Sequence, residues 1–231
     1  MDAYDLLVQH LGNATAAGTT PPAARVEDEA QRIRDLPHTA GCPVCGGRGS
    51  SNVSGELKPC KACEGTGALS AVLSHALAWA TDRWGKPGAP MQVRPIQALA
   101  LFVCHLNGGG FLPVGTGHGK ELISRLAADA VGARKPLLLI PPDMRAPFAA
   151  HTPEYARSFK LPPNVTVMAY SQLSQATSTD ALERLRPDVL ICDEAHLLRN
   201  DSAARTKRVG RYLKEHPDTR VVVMSGTLTA K

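Results

Sequence analysis

Asp193 and Glu194 stand side by side at the end of the apolar run Val189-Leu190-Ile191-Cys192. Two carboxylates delivered together by a strand end can hold a hydrated divalent cation and activate a water molecule. About 75 residues upstream, Val114-Gly115-Thr116-Gly117-His118-Gly119-Lys120 reads as a glycine-rich turn ending in lysine, between the apolar Phe111-Leu112 and a helix-like stretch from Glu121 to Ala127. Glycines let backbone N–H groups converge on phosphate oxygens, and the N-terminus of the next helix adds positive potential. The expected chemistry is hydrolysis of magnesium-ATP. Lys120 would contact the β- and γ-phosphates, Asp193 would hold magnesium through water, and Glu194 would orient and deprotonate the attacking water.

These residues need a scaffold that brings strand ends together. Beyond Met91 the chain alternates helix-like and strand-like segments: a helix near 95–107, strand 111–114, helix 119–132 and strand 136–140, then strand 165–169, a helix near 179–186, strand 188–192, helix 202–214 and strand 220–224. The short Val/Leu/Ile runs carry no polar alternation, which predicts an α/β fold with a parallel sheet sandwiched by helices. Ligands then bind at the carboxyl ends of the strands, where both motifs lie.

In this order the motifs resemble those of the superfamily 2 DEAD/DEAH-type helicases, whose first RecA-like P-loop domain would cover about residues 91–231. Asp193-Glu194-Ala195-His196 is the DEAH box of that resemblance. Arg94-Pro95-Ile96-Gln97 looks like the upstream adenine-sensing element, Leu137 to Pro142 like motif Ia, and Tyr170 to Ser174 like motif Ib. Ser225-Gly226-Thr227 resembles motif III. The resemblance implies that Arg94 and Gln97 read the base and that Gly115, Thr116, Gly117, His118, Gly119, Lys120 and Glu121 surround the nucleotide. It also implies that motifs Ia and Ib touch a nucleic-acid backbone, with DNA favoured over RNA. His196, Ser225 and Thr227 would couple hydrolysis to movement.

The chain departs from that pattern twice. Glu121 occupies the position where the family has a threonine or serine whose hydroxyl coordinates magnesium, so nucleotide affinity is expected to fall. The chain also stops at Lys231, just past motif III. The second RecA-like domain, whose arginine finger is worth about 10³ to 10⁵ in rate in related enzymes, is expected on a separate polypeptide or a longer chain.

Upstream, Cys42-Pro43-Val44-Cys45-Gly46-Gly47-Arg48-Gly49 and Cys60-Lys61-Ala62-Cys63-Glu64-Gly65-Thr66-Gly67 are two copies of Cys-x-x-Cys-x-Gly-x-Gly, with fourteen residues between the inner cysteines. Four thiolates at this spacing predict one closed, tetrahedral and structural zinc site. The repeats resemble half of the cysteine-rich region of DnaJ-type co-chaperones. His216-Pro217-Asp218 spells the tripeptide of a J-domain, but its place between a helix and a strand predicts an ordinary turn. The expected organisation is a helical and linker segment at 1–37, a zinc module at 38–68, a connecting helix and linker at 69–90, and the α/β domain at 91–231. Within the first segment, Tyr4, Leu7, Val8 and Leu11 mark a short helix, and 26–36 reads as a charged one.

The bulk properties fit this reading. A 231-residue chain with 43% hydrophobic residues can bury a core, and 20 glycines and 18 prolines fall mostly at turns rather than in a repeat. A net charge of +5 suits a polyanion without proving one. No apolar run approaches the roughly 20 residues that span a bilayer, no basic leader opens the chain, and a cytoplasmic protein with no membrane contact is expected. Arg199, Arg205, Lys207, Arg208 and Arg211 make the segment after Glu194 basic; a solvated face is the more ordinary reading, phosphate contact the functional one. Two rivals to the motor reading are a non-hydrolysing zinc adaptor and, third, a co-chaperone.

Overall fold

A computed structural model describes residues 50–53, 56–59, 71–115 and 117–226. The helices expected at 4–11 and 26–36, the cysteines Cys42, Cys45, Cys60 and Cys63, and also Thr116 and Thr227 lie outside the described residues. Ahead of the main domain, β1 (Ser50–Val53) and β2 (Glu56–Pro59) pair antiparallel as a hairpin, with Ser50 opposite Pro59. One Cys-x-x-Cys segment joins this hairpin before Ser50 and the other directly after Pro59.

Five strands form one parallel sheet: β3 (Gly110–Leu112), β4 (Pro136–Ile140), β5 (Thr166–Ala169), β6 (Val189–Cys192) and β7 (Arg220–Met224). Their spatial order is β3-β7-β6-β4-β5. Every residue of β4 and β6 is buried, which is why their sequences show no polar alternation. Successive side chains go to opposite faces. Leu138, Ile140, Ile191 and Val222 pack under α1 (Ala71–Trp84), α2 (Pro95–Asn107) and α3 (Lys120–Ala130). Leu137, Leu139, Leu190 and Val221 pack under α5 (Tyr170–Ser174), α6 (Ala181–Leu185) and α7 (Ala204–Glu215). The expected sheet and its two helical layers are therefore present.

Two elements differ from expectation. Residues 71–90, within the segment expected as a connecting helix and linker, pack onto the α/β domain: Ala76, Ala80 and Trp84 of α1 share a core with Leu101 and Phe102 of α2. Trp84 Nε1 and Arg83 Nε both donate to Asp129 Oδ2 at 2.7 Å, and Lys160 N donates to Trp84 O at 2.8 Å. The strip Ala76/Ala80 is what lets α1 approach α2 closely. The second is α4 (Arg145–Ser158), where the sequence patterns predict no element between 140 and 165. Pro147 and Pro153 hide it, since proline removes an N–H donor and disfavours a helix interior. The helix is held from outside by Arg125 of α3, which donates to Phe148 O and, at 2.9 Å, to Thr152 Oγ1.

His216-Pro217-Asp218 forms the turn from α7 to β7, closed by Thr219 N to His216 O at 3.1 Å. Among the described residues no helix is long and apolar enough to cross a membrane.

Candidate nucleotide site

The glycine loop follows β3 and the acidic pair follows β6, so both sit at the carboxyl end of the sheet. They converge: Lys120 Nζ lies 2.5 Å from Glu194 Oε1, with the two side chains 11% and 22% exposed. Among the described residues this carboxylate is the one ion-pair partner of Lys120. An ammonium has three N–H donors, so most of its capacity remains for an anion in the cleft.

Gly117 and Gly119 hold φ of +81° and +73°, in the left-handed region that lets the loop turn before Lys120 opens α3. The upstream element props this loop from behind. Gln97 Nε2 donates to His118 O at 3.1 Å and to Gly119 O at 3.2 Å, while Gln97 Oε1 accepts from Arg94 N at 2.9 Å and thereby caps α2. Arg94 Nη1 donates to Gly117 O at 3.2 Å. Residues expected as base readers are thus also struts. A side-chain amide has two donors and two acceptor sites, so Gln97 keeps one acceptor for a ligand. The wall beside them is a cavity of about 310 Å³ lined by Arg94, Gln97, Gly119, Leu122, Tyr155 and Phe159, among others.

Asp193 is 8% exposed at the tip of β6. Burial first, then the neighbouring charge of Glu194, pushes its carboxyl up from 3.8 to about 6, against the pull of Lys120. For Glu194 burial acts in the same upward direction but is outweighed by the hydrogen bond and charge of Lys120, so its carboxyl is held below the usual range. Two adjacent carboxylates thus divide into one held ionised and one that titrates near neutrality. Glu194 also adopts φ +50°, ψ 52°, a left-handed conformation unusual for a side chain of this kind and typical of strained functional positions. That turn presents Oε2 to His196 Nδ1 at 3.2 Å and to the backbone N–H of Gly226 at 3.4 Å. His196 Nδ1 also lies 3.4 Å from Ser225 Oγ. The residues after β6 and after β7 therefore meet at Glu194.

Glu121, in contrast, is turned aside. Its Oε1 accepts from Arg125 Nη2 at 2.7 Å, and its Oε2 lies 3.1 Å from His151 Nδ1. The Arg125 side chain is 4% exposed and ties the same carboxylate to α4 through Thr152 and Phe148. Glu121, expected among the residues around the nucleotide, is thus paired with a buried cation, and His151, given no role from the sequence, takes part.

The basic residues of α7 resolve into ties rather than a free face. Arg208 donates to Leu173 O, Gln175 O and Thr179 Oγ1, and Arg211 to Glu183 Oε1 and Thr179 O. Arg205 Nε donates to Leu197 O at 2.9 Å. Arg208 and Arg211 fasten the segment after β5, where the element resembling motif Ib lies; Lys207 and Arg199 remain exposed. No local sequence signal marks the partners of Arg208 and Arg211, which sit about 30 residues away.

The five-stranded parallel sheet between helical layers, with the glycine loop and the acidic pair at its carboxyl end, is a domain of RecA-like fold. No protein-family model matches the chain, and no curated protein matches it. Among solved structures it is similar to the UvsW helicase from bacteriophage T4, with TM-score 0.50 and 16% identity over 67% of this chain and 60% of that one. A second T4 UvsW structure matches with the same score and identity over 67% of this chain and 34% of the other. The chain spans less than two thirds of these neighbours' lengths, and at this identity the likeness is one of fold.

Proposed function

We propose that this chain is the ATP-binding, nucleic-acid-dependent ATPase half of a superfamily 2 DNA helicase or translocase, working with a second RecA-like domain supplied by another polypeptide or a longer chain. The observation that carries the reading is the 2.5 Å pairing of Lys120 with Glu194 across the cleft between the glycine loop and the β6 tip. A phosphate-loop lysine and a strand-tip carboxylate this close share one cleft, so a triphosphate held by Lys120 would lie within reach of Glu194.

Gly115 to Lys120 would cradle the phosphates, and Arg94 and Gln97 would border the base. Asp193 fits magnesium, being an ionisable carboxylate at the strand tip beside the lysine. No group of three His, Cys, Asp or Glu converges as a metal cage among the described residues, so the ion would take most of its ligands from phosphate and water, as magnesium commonly does. When bound, it would neutralise charge on the β- and γ-phosphates. Glu194 would orient and deprotonate water, and its contacts with His196 and Gly226 would report the state of the γ-phosphate to the segment after β7, where Ser225 and Thr227 would carry the coupling. A cytoplasmic location and DNA rather than RNA as the partner belong to the same proposal. Its test is ATP hydrolysis by the full chain, stimulated by single-stranded DNA and measured with and without a supplied second motor domain.

The pH dependence follows from Asp193. Its folded pKa lies above the ordinary value, so ionising it costs stability above about pH 6, and that cost is relieved as pH falls from 6 towards 3.8. Magnesium needs the ionised form. Titration calorimetry is expected to show magnesium-ATP affinity falling by up to about tenfold per pH unit below pH 6, while metal-free ATP binding changes much less. A flat magnesium profile would remove Asp193 from the metal site.

The four cysteines are proposed to hold one structural zinc at the open end of the β1/β2 hairpin, forming a module that grips nucleic acid or a partner. Metal analysis of purified protein should find about one zinc per chain, falling when Cys42 and Cys45 are replaced by serine; metal-free protein with oxidised thiols rejects the site. A second reading, the non-hydrolysing adaptor, is favoured by one feature, the diversion of Glu121 onto Arg125 and His151. No turnover even with the missing domain supplied would decide for it. Binding of unfolded polypeptide without any DNA dependence would point to the co-chaperone.

A further inference from the structure

The cavity beside Gly119 has one wall that none of the motifs describes. Arg94 and Gln97 line it from the start of α2, Gly119 and Leu122 from the phosphate loop and α3, and Tyr155 and Phe159 close it from α4 and its C-terminus. Phe159 is 1% exposed and forms the floor, whereas Tyr155 is only half-buried. The two rings lie 6.3 Å apart, tilted by 32°. Arg125 Cζ sits 4.7 Å from the Tyr155 ring centroid, and Arg125 is itself anchored by Glu121 of the same helix that begins with Lys120. The aromatic wall is therefore held at a set position relative to the phosphate loop, by a buried arginine that bridges α3 and α4.

From this geometry we propose that Tyr155 is the base-stacking residue of the nucleotide site. A flat π-face opposite polar edge groups is what a nucleobase requires: stacking supplies affinity without regard to sequence, and hydrogen bonds supply the choice. Gln97 has spent both donors on His118 O and Gly119 O, which leaves an acceptor. Diversion of Glu121 acquires a purpose in this arrangement, because the same ion pair that withdraws its carboxylate holds Arg125 over the ring.

The inference rests on the nucleotide reading above, and inorganic tripolyphosphate separates the two, since it offers phosphates without a base. The full chain is titrated calorimetrically with magnesium-ATP and magnesium tripolyphosphate, as wild type and as Tyr155→Ala and Tyr155→Phe, with thermal denaturation as a check on folding. Tyr155→Ala is expected to weaken ATP by about 5- to 150-fold, the range of one base–aromatic stack, with tripolyphosphate affinity unchanged. Tyr155→Phe should restore what alanine loses. Wild type binding tripolyphosphate as tightly as ATP, or Tyr155→Ala weakening both equally or neither, overturns the stacking role and leaves the phosphate site standing. Wild type binding neither ligand overturns both.

Discussion

Replacing Glu194 by glutamine is expected to lower ATP turnover by about 10²- to 10⁴-fold, the range for loss of a positioned general base, while ATP binding is kept or tightened. Glutamine preserves shape and the acceptor that meets the Gly226 N–H, but it removes the charge that pairs with Lys120 at 2.5 Å. Lys120 is then free for the triphosphate. The strain argues the same way: a non-glycine residue at φ +50° costs about 1–3 kcal/mol, and the cost is met because this conformation aims the carboxylate at Lys120, His196 and Gly226 together. Single-turnover hydrolysis with single-stranded DNA, beside equilibrium ATP binding, separates the two effects. A glutamine variant that hydrolyses ATP like wild type would eliminate Glu194 as the base. Because Lys120 holds Glu194 below the usual carboxylate range, the acid limb of the wild-type profile should come from Asp193 near pH 6 instead.

Gly119→Ala should cost both stability and triphosphate binding. A Cβ there would lie 2.3 Å from Gln97 Nε2, and the residue sits at φ +73°. The backbone alone costs about 1–2 kcal/mol. Gln97 must then move, surrendering its bonds to His118 O and Gly119 O, each worth about 1 kcal/mol. Triphosphate affinity is expected to fall by at least about tenfold with it, because the loop loses its rear support and the carbonyls no longer orient the N–H groups that face phosphate. Gly117→Ala is the control. It has φ +81° but no atom within 4 Å of its Cβ, so it carries the backbone cost without the collision. Thermal denaturation and calorimetry on both variants test the idea; equal losses would mean that the Gln97 strut contributes little.

Much of the sheet was legible because its central strands are buried on both faces. Pro136–Ile140 and Val189–Cys192 therefore read as unbroken apolar runs, and each of the two motifs falls just past a strand end. Local composition also marked Gly119 and Lys120 as a turn into a helix, since glycine adopts that backbone without strain. What local patterns missed was made elsewhere in the chain. The helix from Arg145 to Ser158 contains Pro153, and its own residues argue against it. It is held by Arg125, a residue some 20 to 30 positions upstream, whose donors reach its carbonyl and hydroxyl groups. With that helix hidden, Tyr155 and His151 had no visible place.

The basic run of α7 shows the same limit. Charge count cannot distinguish a solvated face from arginines bound to Leu173 O and Thr179 O, because the acceptors are backbone carbonyls that carry no sequence signature. Glu121 pairs with Arg125 one turn along the same helix, a contact that local spacing allows, but only the packing of α3 against α4 buries that guanidinium and adds His151 to the carboxylate. By itself, then, the sequence determined which chemical groups this protein owns and which strand ends deliver them, because burial and backbone conformation restrict residue type locally. Which of those groups face the cleft, and which are spent on holding it open, was decided by the tertiary structure, because long side chains choose partners across distances that no local pattern records.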